Sequence, residues 1–374
     1  MLTESGCRSR RARLFDALAP TIDRVVLTSP EAIAWCSGFA ASPFVFRSQG
    51  ATAVLILSRS GDARLVVDNL QEPFAARALG VSVEMPVWYR CVEAASDRRA
   101  LVVDAALAAL RELGAGDIAV ESAHCPLPLA SEIGRPMHDL GPALALARRS
   151  KDRDEIDQIS RCFEIATQAL DTTRANVRPG WTELDLYRSV AEQANQAAGE
   201  TVSVYGDFVC GVGCEAGGGP PTARVVRAGD LILLDFSVVL SGYRGDFAST
   251  FVCGGEPSRE WSAMETACLT ALDAAAATLR PGRPARDVHA AAVRVFAEQH
   301  LADHFPHHTG HGIGLGHPEA PFLVPQSEEV LAVGDVVTVE PGLYQPGIGG
   351  MRFEHAWEIT PTGARQLTTH KTRL

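Results

Sequence analysis

One pattern occurs twice in this chain and constrains it more than any other feature. Residues 229–246 read GDLILLDFSVVLSGYRGD, and residues 334–354 read GDVVTVEPGLYQPGIGGMRFE. Each copy begins Gly-Asp, runs through four mostly apolar residues to a carboxylate and closes on Gly-x-Arg-x-carboxylate. The first copy supplies Asp235 and Asp246, the second Glu340 and Glu354, at offsets of 105 and 108 residues. His311, in the glycine-rich stretch TGHGIGLG, lies between the copies. Four acids and one histidine from two half-repeats read as ligands for a pair of metal ions held between the halves.

The apolar run up to Asp235 is that of a buried strand, and VVTV before Glu340 is similar. Buried carboxylates are costly unless paired or bound to a cation. Arg244 and Arg352 each stand two residues before an acid and share its strand face. Pairing within each Arg-x-acid unit would serve Asp246 and Glu354 but leaves Asp235 and Glu340 unexplained.

The duplication extends beyond the acids. VRPGWTELDLYRSVAEQAN (177–195) and LRPGRPARDVHAAAVRVFAEQH (279–300) share Arg-Pro-Gly, a short cap and an amphipathic helix. Thr182 reads as an N-cap with Asp185 at N3, an approximate capping box. Two such halves predict pseudo-two-fold symmetry. The first 148 residues alternate helix and strand signals instead. A helix opens at Leu14–Leu18, strands fall at 24–29 and 117–122, a hairpin joins 52–58 to 63–68, and a helix covers 97–113. The charged stretch RRSKDRDEID (148–157) marks the boundary. The expectation is α/β (α+β), with an N-terminal domain over 1–148 and a catalytic domain over 149–374.

The net charge of −11 argues against a nucleic-acid partner. The one basic run, RSRRAR at 8–13, reads as the solvated face of a first helix. No segment approaches the ~18 consecutive apolar residues of a membrane span. Nine cysteines, an odd number with no framework spacing, point to reduced thiols and a cytoplasmic protein. Cys210 and Cys214 read as two small residues beside a glycine-rich loop.

The motifs LLDF…GYRGD, TGHGIGLG, TVEPGLY and GMRFE resemble those of the pita-bread metallohydrolases. The two-domain members of that family are Xaa-Pro aminopeptidases, prolidases and creatinase, and the resemblance covers essentially the whole chain. It implies an N-terminal creatinase-like domain, a C-terminal pita-bread domain, a homodimer and two divalent ions (Mn, Co, Fe or Zn). It implies that Asp235 binds one metal, that His311 and Glu340 bind the other, and that Asp246 and Glu354 bridge them. A water or hydroxide between the ions would be the nucleophile, and Glu340 would shuttle its proton. The implied substrate is a small molecule or dipeptide, first an Xaa-Pro dipeptide.

The chain departs from the peptidase pattern at two histidines. Aligning Pro221-Thr222-x-Arg224 with the family's PHxxPTxR-like segment puts Gly218 where a histidine is expected. Position +7 from His311 is Pro318, with Glu319 following. His307, His308 and His317 are the candidate replacements, His308 and His317 being taken as catalytic. Gly218, Arg352, Trp88 and Tyr89 are taken as substrate-binding residues. These departures keep a second expectation open: a creatinase-like or ectoine-derivative-type hydrolase, or a lyase, acting on an amino-acid-like metabolite. A binding module without catalysis is the third.

Overall fold

The computed structural model describes residues 1–92, 95–114, 116–133 and 137–374, and the chain divides into two compact units, Met1–Arg148 and Arg149–Leu374. The first is built on a six-stranded mixed sheet. Its strands are β1 (Ile22–Leu27), β2 (Ala53–Ser58), β3 (Ala63–Val67), β4 (Ser82–Glu84), β5 (Asp117–Val120) and β6 (Met137–Asp139), in the order β4-β3-β2-β1-β5-β6. Six helices accompany it: α1 (Glu4–Asp16), α2 (Pro30–Ser37), α3 (Glu72–Ala75), α4 (Arg98–Glu112), α5 (Leu127–Ile133) and α6 (Gly141–Arg149). One face of the sheet (Val26, Val54, Ile56, Val66 and Val120) packs on Val102, Ala106 and Leu110 of α4.

Two expectations for this unit need correction. The first helix ends at Asp16 rather than opening at Leu14. Its basic run is a solvated face only in part: Arg8 is exposed, but Arg10 and Arg11 are buried. Arg10 Nε donates to the Trp35 carbonyl at 2.7 Å, and Arg11 Nη1 donates to the Gly80 carbonyl at 2.9 Å. These guanidiniums satisfy backbone oxygens that the packed helix would otherwise strand.

The second unit repeats a helix pair followed by antiparallel strands. In its first half, α7 (Arg153–Asn176) and α8 (Glu183–Ala198) precede the sheet of β7 (Ser203–Cys210), β8 (Leu231–Leu240) and β9 (Tyr243–Val252), with the short α9 (Val212–Glu215) after β7. The capping box at α8 forms: Thr182 Oγ1 accepts from Asp185 N at 3.2 Å, and Asp185 Oδ2 accepts from Thr182 N at 2.9 Å. In the second half, α10 (Arg259–Ala276) and α11 (Ala285–Glu298) pack on the five-stranded sheet and the hairpin that follow. Pro284 stands at the cap of α11, with no side-chain hydrogen bond.

The remaining strands are β10 (Gly310–Gly312), β11 (Glu319–Leu323), β12 (Val336–Val339), β13 (Gly342–Gln345), β14 (Gly349–Arg352), β15 (His355–Thr360) and β16 (Gly363–Gln366). Five form a sheet in the order β11-β10-β12-β15-β16, while β13 and β14 make a separate hairpin. The halves are joined by hydrogen bonds close to the acids. Arg352 N donates to Thr250 Oγ1 at 3.1 Å, and Glu354 N donates to the Ala248 carbonyl at 3.1 Å.

Helix α7 lies directly on β9 at Gly245, the neighbour of Asp246. A Cβ there would come within 2.7 Å of Phe163 N and 2.8 Å of Cys162 C, both backbone atoms. Gly245→Ala must therefore push helix and strand apart. It is expected to cost about 1–3 kcal/mol and to lower Tm by several degrees, read by thermal unfolding. An unchanged Tm would show that the helix can shift freely.

Candidate metal centre

All five residues singled out by the duplication fall in the second unit and converge. Asp235 projects from the middle of β8, in register with Asp207 of β7 on one side and Ala248 of β9 on the other. Asp246 lies on β9 opposite Ser237, whose hydroxyl donates to Asp246 Oδ1 at 2.8 Å. Glu340 follows β12, its N–H held by the Thr309 carbonyl at 2.7 Å. Glu354 occupies the step from β14 to β15. Three overlapping groups have ligand atoms within 4.8 Å of one another: Asp246, His311 and His317; His308, His311 and Glu340; Asp235, Glu340 and Glu354.

Three of the four acids have a cationic or ionisable partner. Arg352 Nη1 donates to Asp235 Oδ2, and His317 Nε2 to Asp246 Oδ2. His308 Nε2 is 3.0 Å from Glu340 Oε1. Arg352 thus reaches across to the other half-repeat instead of serving Glu354, the acid two residues on. Glu354 is left over: it is 1% exposed, and its Oε1 has no hydrogen-bond partner.

The ionisation pattern follows this pairing. Burial, reinforced by Glu340, Asp246 and Asp235, holds the Glu354 carboxyl well above the usual carboxylate range. Burial also pushes Asp235 up to about 7, against the opposing charge of Arg352. Burial opposes ionisation of Glu340 as well, but the hydrogen bond from His308 and the charges of His311 and Arg352 outweigh it and bring Glu340 down to about 2. The bonds to Glu340 and Asp246 raise His308 and His317 above the ordinary histidine value.

The histidine tautomers are set by neighbouring oxygens. His311 Nδ1 is 2.9 Å from the Gly312 carbonyl, so that nitrogen carries the proton. Its Nε2 lies 3.5 Å from Glu340 Oε1 and 3.9 Å from Asp246 Oδ2, so whenever the ring is neutral a lone pair faces both acids. A lone pair facing two carboxylates is unfavourable without a cation between them. His307 behaves differently. Its Nδ1 donates to the His308 carbonyl at 2.8 Å, and its Nε2 accepts from Tyr344 OH at 2.9 Å. Burial lowers its pKa to about 4, so it stays neutral. Tyr344 OH in turn accepts from Arg352 Nε at 2.8 Å, and Arg352 Nη2 donates to the Gly217 carbonyl at 2.6 Å.

The residues present fit two divalent cations. The donor set is hard, four carboxylates with imidazole, as Mn, Fe, Co and Zn accept. Glu354 and His311 fall in separate groups that share Glu340. Cys210 and Cys214 take no part: no cysteine belongs to a candidate metal group among the described residues, and Cys214 Sγ faces the carbonyls of Leu231 and Val209 at 3.5 and 3.8 Å.

Gly218 borders the centre through Asp207, which lies 4.0 Å from Arg352 Nη1. A Cβ at Gly218 would stand 1.9 Å from Asp207 Oδ2, so the place where a histidine was expected is filled from the neighbouring strand. Trp88 and Tyr89 belong to the first unit. Trp88 is half-buried there, with the Arg98 guanidinium 4.5 Å above its ring and its indole N–H on the Ser96 carbonyl at 2.8 Å.

Three participants were not singled out from the sequence. Tyr344, in an apolar strand, reads as core. Asp207 lies in 203–210, which has no clear alternation, and its place beside Asp235 comes only from the pairing of the two strands. Lys151 sits in a charged stretch that reads as linker. Its side chain is 2% exposed, and its Nζ is 2.6 Å from Glu319 Oε1. Glu319 Oε2 accepts from Gly316 N at 2.9 Å, which fixes the loop carrying His317.

Comparison with known proteins agrees with this geometry. Residues 157–361, more than half of the chain, match the model of metallopeptidase family M24. The chain belongs to metallopeptidase family M24. An uncharacterized peptidase of Staphylococcus aureus is 27% identical over 238 residues, and the match spans 62% of this chain and 66% of that relative, just under two thirds of its length. Among solved structures, a dipeptidase from Mycobacterium ulcerans is 26% identical with a TM-score of 0.79, covering 100% of this chain and 98% of its own. An Xaa-Pro dipeptidase from Bacillus anthracis is 24% identical with a TM-score of 0.83, covering 98% of this chain and 99% of its own. The M24 member thus has the two-domain pita-bread fold that its motifs implied. No helix among its described residues is long and apolar enough to cross a membrane.

In the metal-free chain, Glu354 and Asp235 have folded pKa values above the unfolded values of about 4.3 and 3.9. Their stabilising contribution is complete below about pH 4 and is lost as pH rises through the folded values. His308 and His317, also raised, act in the same direction at higher pH. Chelated protein is therefore expected to lose thermal stability between about pH 5 and 8. Glu354→Gln should recover part of the loss. Calorimetric Tm across that range tests this, and a rising Tm in chelated wild-type protein would contradict it.

Proposed function

We propose that this M24 member is a dinuclear-metal hydrolase that cleaves the amide bond of an Xaa-Pro dipeptide or of a short peptide with proline after the scissile bond. The observation that carries the reading is the buried set of four acids with His311, in which Glu354 Oε1 has no hydrogen-bond partner. The dipeptidases among its structural neighbours favour a dipeptide substrate. A cytoplasmic homodimer is the accompanying expectation.

Asp235, Asp246, His311, Glu340 and Glu354 would hold the ions, Asp246 and Glu354 serving both. When bound, two divalent ions acidify a shared water and polarise a carbonyl oxygen. Glu340 takes the proton of the attacking water and returns it to the leaving nitrogen, a general base and then a general acid. Before metal loading, His308 holds that carboxylate in place, its Nε2 3.0 Å from Glu340 Oε1. His317, part-exposed and released from Asp246 once metal binds, would donate to the substrate carbonyl as charge develops there, the duty the resemblance gives to the histidine expected at position 318. Arg352, held by Asp235, Tyr344 and Gly217, keeps Asp235 in place.

A second reading, a non-peptidase relative acting on an amino-acid-like metabolite, is favoured by one observation. Asp207 occupies the space of the histidine expected at position 218, so this pocket is more acidic than the peptidase pattern. A panel of Xaa-Pro dipeptides, other dipeptides and N-acylated diamino acids separates the two.

Two outcomes are expected. Asp246→Asn and Glu354→Gln should each lower bound metal from about two ions per chain and reduce turnover to background, read by elemental analysis and hydrolysis assay. Near-normal turnover in either would remove the dinuclear assignment. Metal loading should also release protons, because His308 and His317 must give up their acids. Titration calorimetry in buffers of different ionisation enthalpy measures that release. No buffer dependence would mean that these histidines are neutral before loading.

A further inference from the structure

The glycine-rich loop and the strand beside it hold a charge that the reaction scheme does not use. Asp207 is in register with Asp235 on the neighbouring strand, so both side chains project from the same face of the sheet. Its Oδ2 lies 4.0 Å from Arg352 Nη1, the nitrogen already committed to Asp235. The other Arg352 donors go to Tyr344 and Gly217. Asp207 therefore stands at the margin of an ion pair that another acid occupies. Its side chain is 37% exposed, open enough to meet a ligand, whereas Asp235 is 15% exposed.

The loop is shaped around this carboxylate. Gly218 has φ +141°, a backbone setting that side chains rarely adopt, and any Cβ there would collide with Asp207 Oδ2. The backbone of Gly219 hydrogen-bonds the same side chain, and the Gly219 carbonyl accepts from Phe208 N at 3.1 Å. The loop thus keeps Asp207 extended toward the centre. Independently of Asp207, the buried Glu354 oxygen without a partner marks a ligand site at Asp235, the residue opposite Asp207 on the next strand.

We propose that Asp207, with Gly218 making room for it, is a specificity-determining residue that holds the α-ammonium group of the substrate beside the metal centre. This rests on the reading of the centre as an amide-hydrolysing site. An ammonium donates up to three hydrogen bonds and accepts none, which matches a part-exposed carboxylate with free acceptor positions. An N-acylated substrate would bring an uncharged group to the same carboxylate and lose that interaction.

The test compares metal-loaded wild type with Asp207→Asn, which keeps the shape and an acceptor for Gly219 but removes the charge. The probes are the non-hydrolysable ketomethylene isostere of Ala-Pro and its N-acetyl form, with binding read by calorimetry. Wild type should prefer the free amine. Asp207→Asn should weaken its binding by about ten- to a hundredfold and leave the N-acetyl form within about twofold. Equal losses for both probes, no loss for either, or no binding of the free amine by wild type would overturn the assignment. Gly218→Ala, which displaces the carboxylate, should reproduce the selective loss; if it misfolds, Asp207→Asn decides alone. Turnover of Ala-Pro by wild type is measured alongside. Selective amine binding without turnover would retire the peptidase reading and keep the ammonium site.

Discussion

Four carboxylates share one buried space, and among the described residues three of them find a positive or proton-donating partner. Arg352, His317 and His308 each take one acid, and Glu354 remains without a hydrogen-bonded Oε1. Like charges brought together in a low-dielectric interior repel strongly, and removing them from water adds to the cost. A fold that tolerates this must hold the acids rigidly and offset the repulsion with cations. The second unit does the first through its strands, and the centre is made for the second.

The rigidity comes from how each acid is anchored. Asp235 and Asp246 stand in long antiparallel strands paired to each other over their length. The Glu340 and Glu354 main chains are tied to Thr309 and Ala248, and the Glu354 tie crosses between the half-repeats. None of the acids depends on a free loop. His317 is the exception, since it rides on a turn, and that turn is braced by the ion pair between Lys151 and Glu319.

The five principal residues were legible because a duplication leaves a signature that single motifs lack: an apolar strand ending on an acid, twice, at nearly the same offset. The capping box at Thr182 and the hairpin over 52–68 were legible for the same local reason, since their partners lie within a few residues. What escaped depends on contacts between distant segments. Arg352 bonds to Asp235, 117 residues away, rather than to the acid two positions on. Asp207 matters only because β7 lies beside β8, and Lys151 only because Glu319 folds over it. Arg10 and Arg11 looked like surface charge because sequence alone does not show the carbonyls of Trp35 and Gly80 waiting for them.

The Lys151–Glu319 pair has a consequence for where the second unit begins. Its first helix starts at Arg153, but the segment before it is already part of the structure: Arg149 pairs with Asp335 at 2.8 Å, and Lys151 N bonds the Gly334 carbonyl at 2.9 Å. A fragment cut at the helix start would strand two acids, Asp335 fully buried and Glu319 largely so, without their cations. It would also release the turn that carries His317. Circular permutants and domain fusions of this chain therefore need their junction ahead of Arg149, because the few residues that look like a connector act as a latch on the active half.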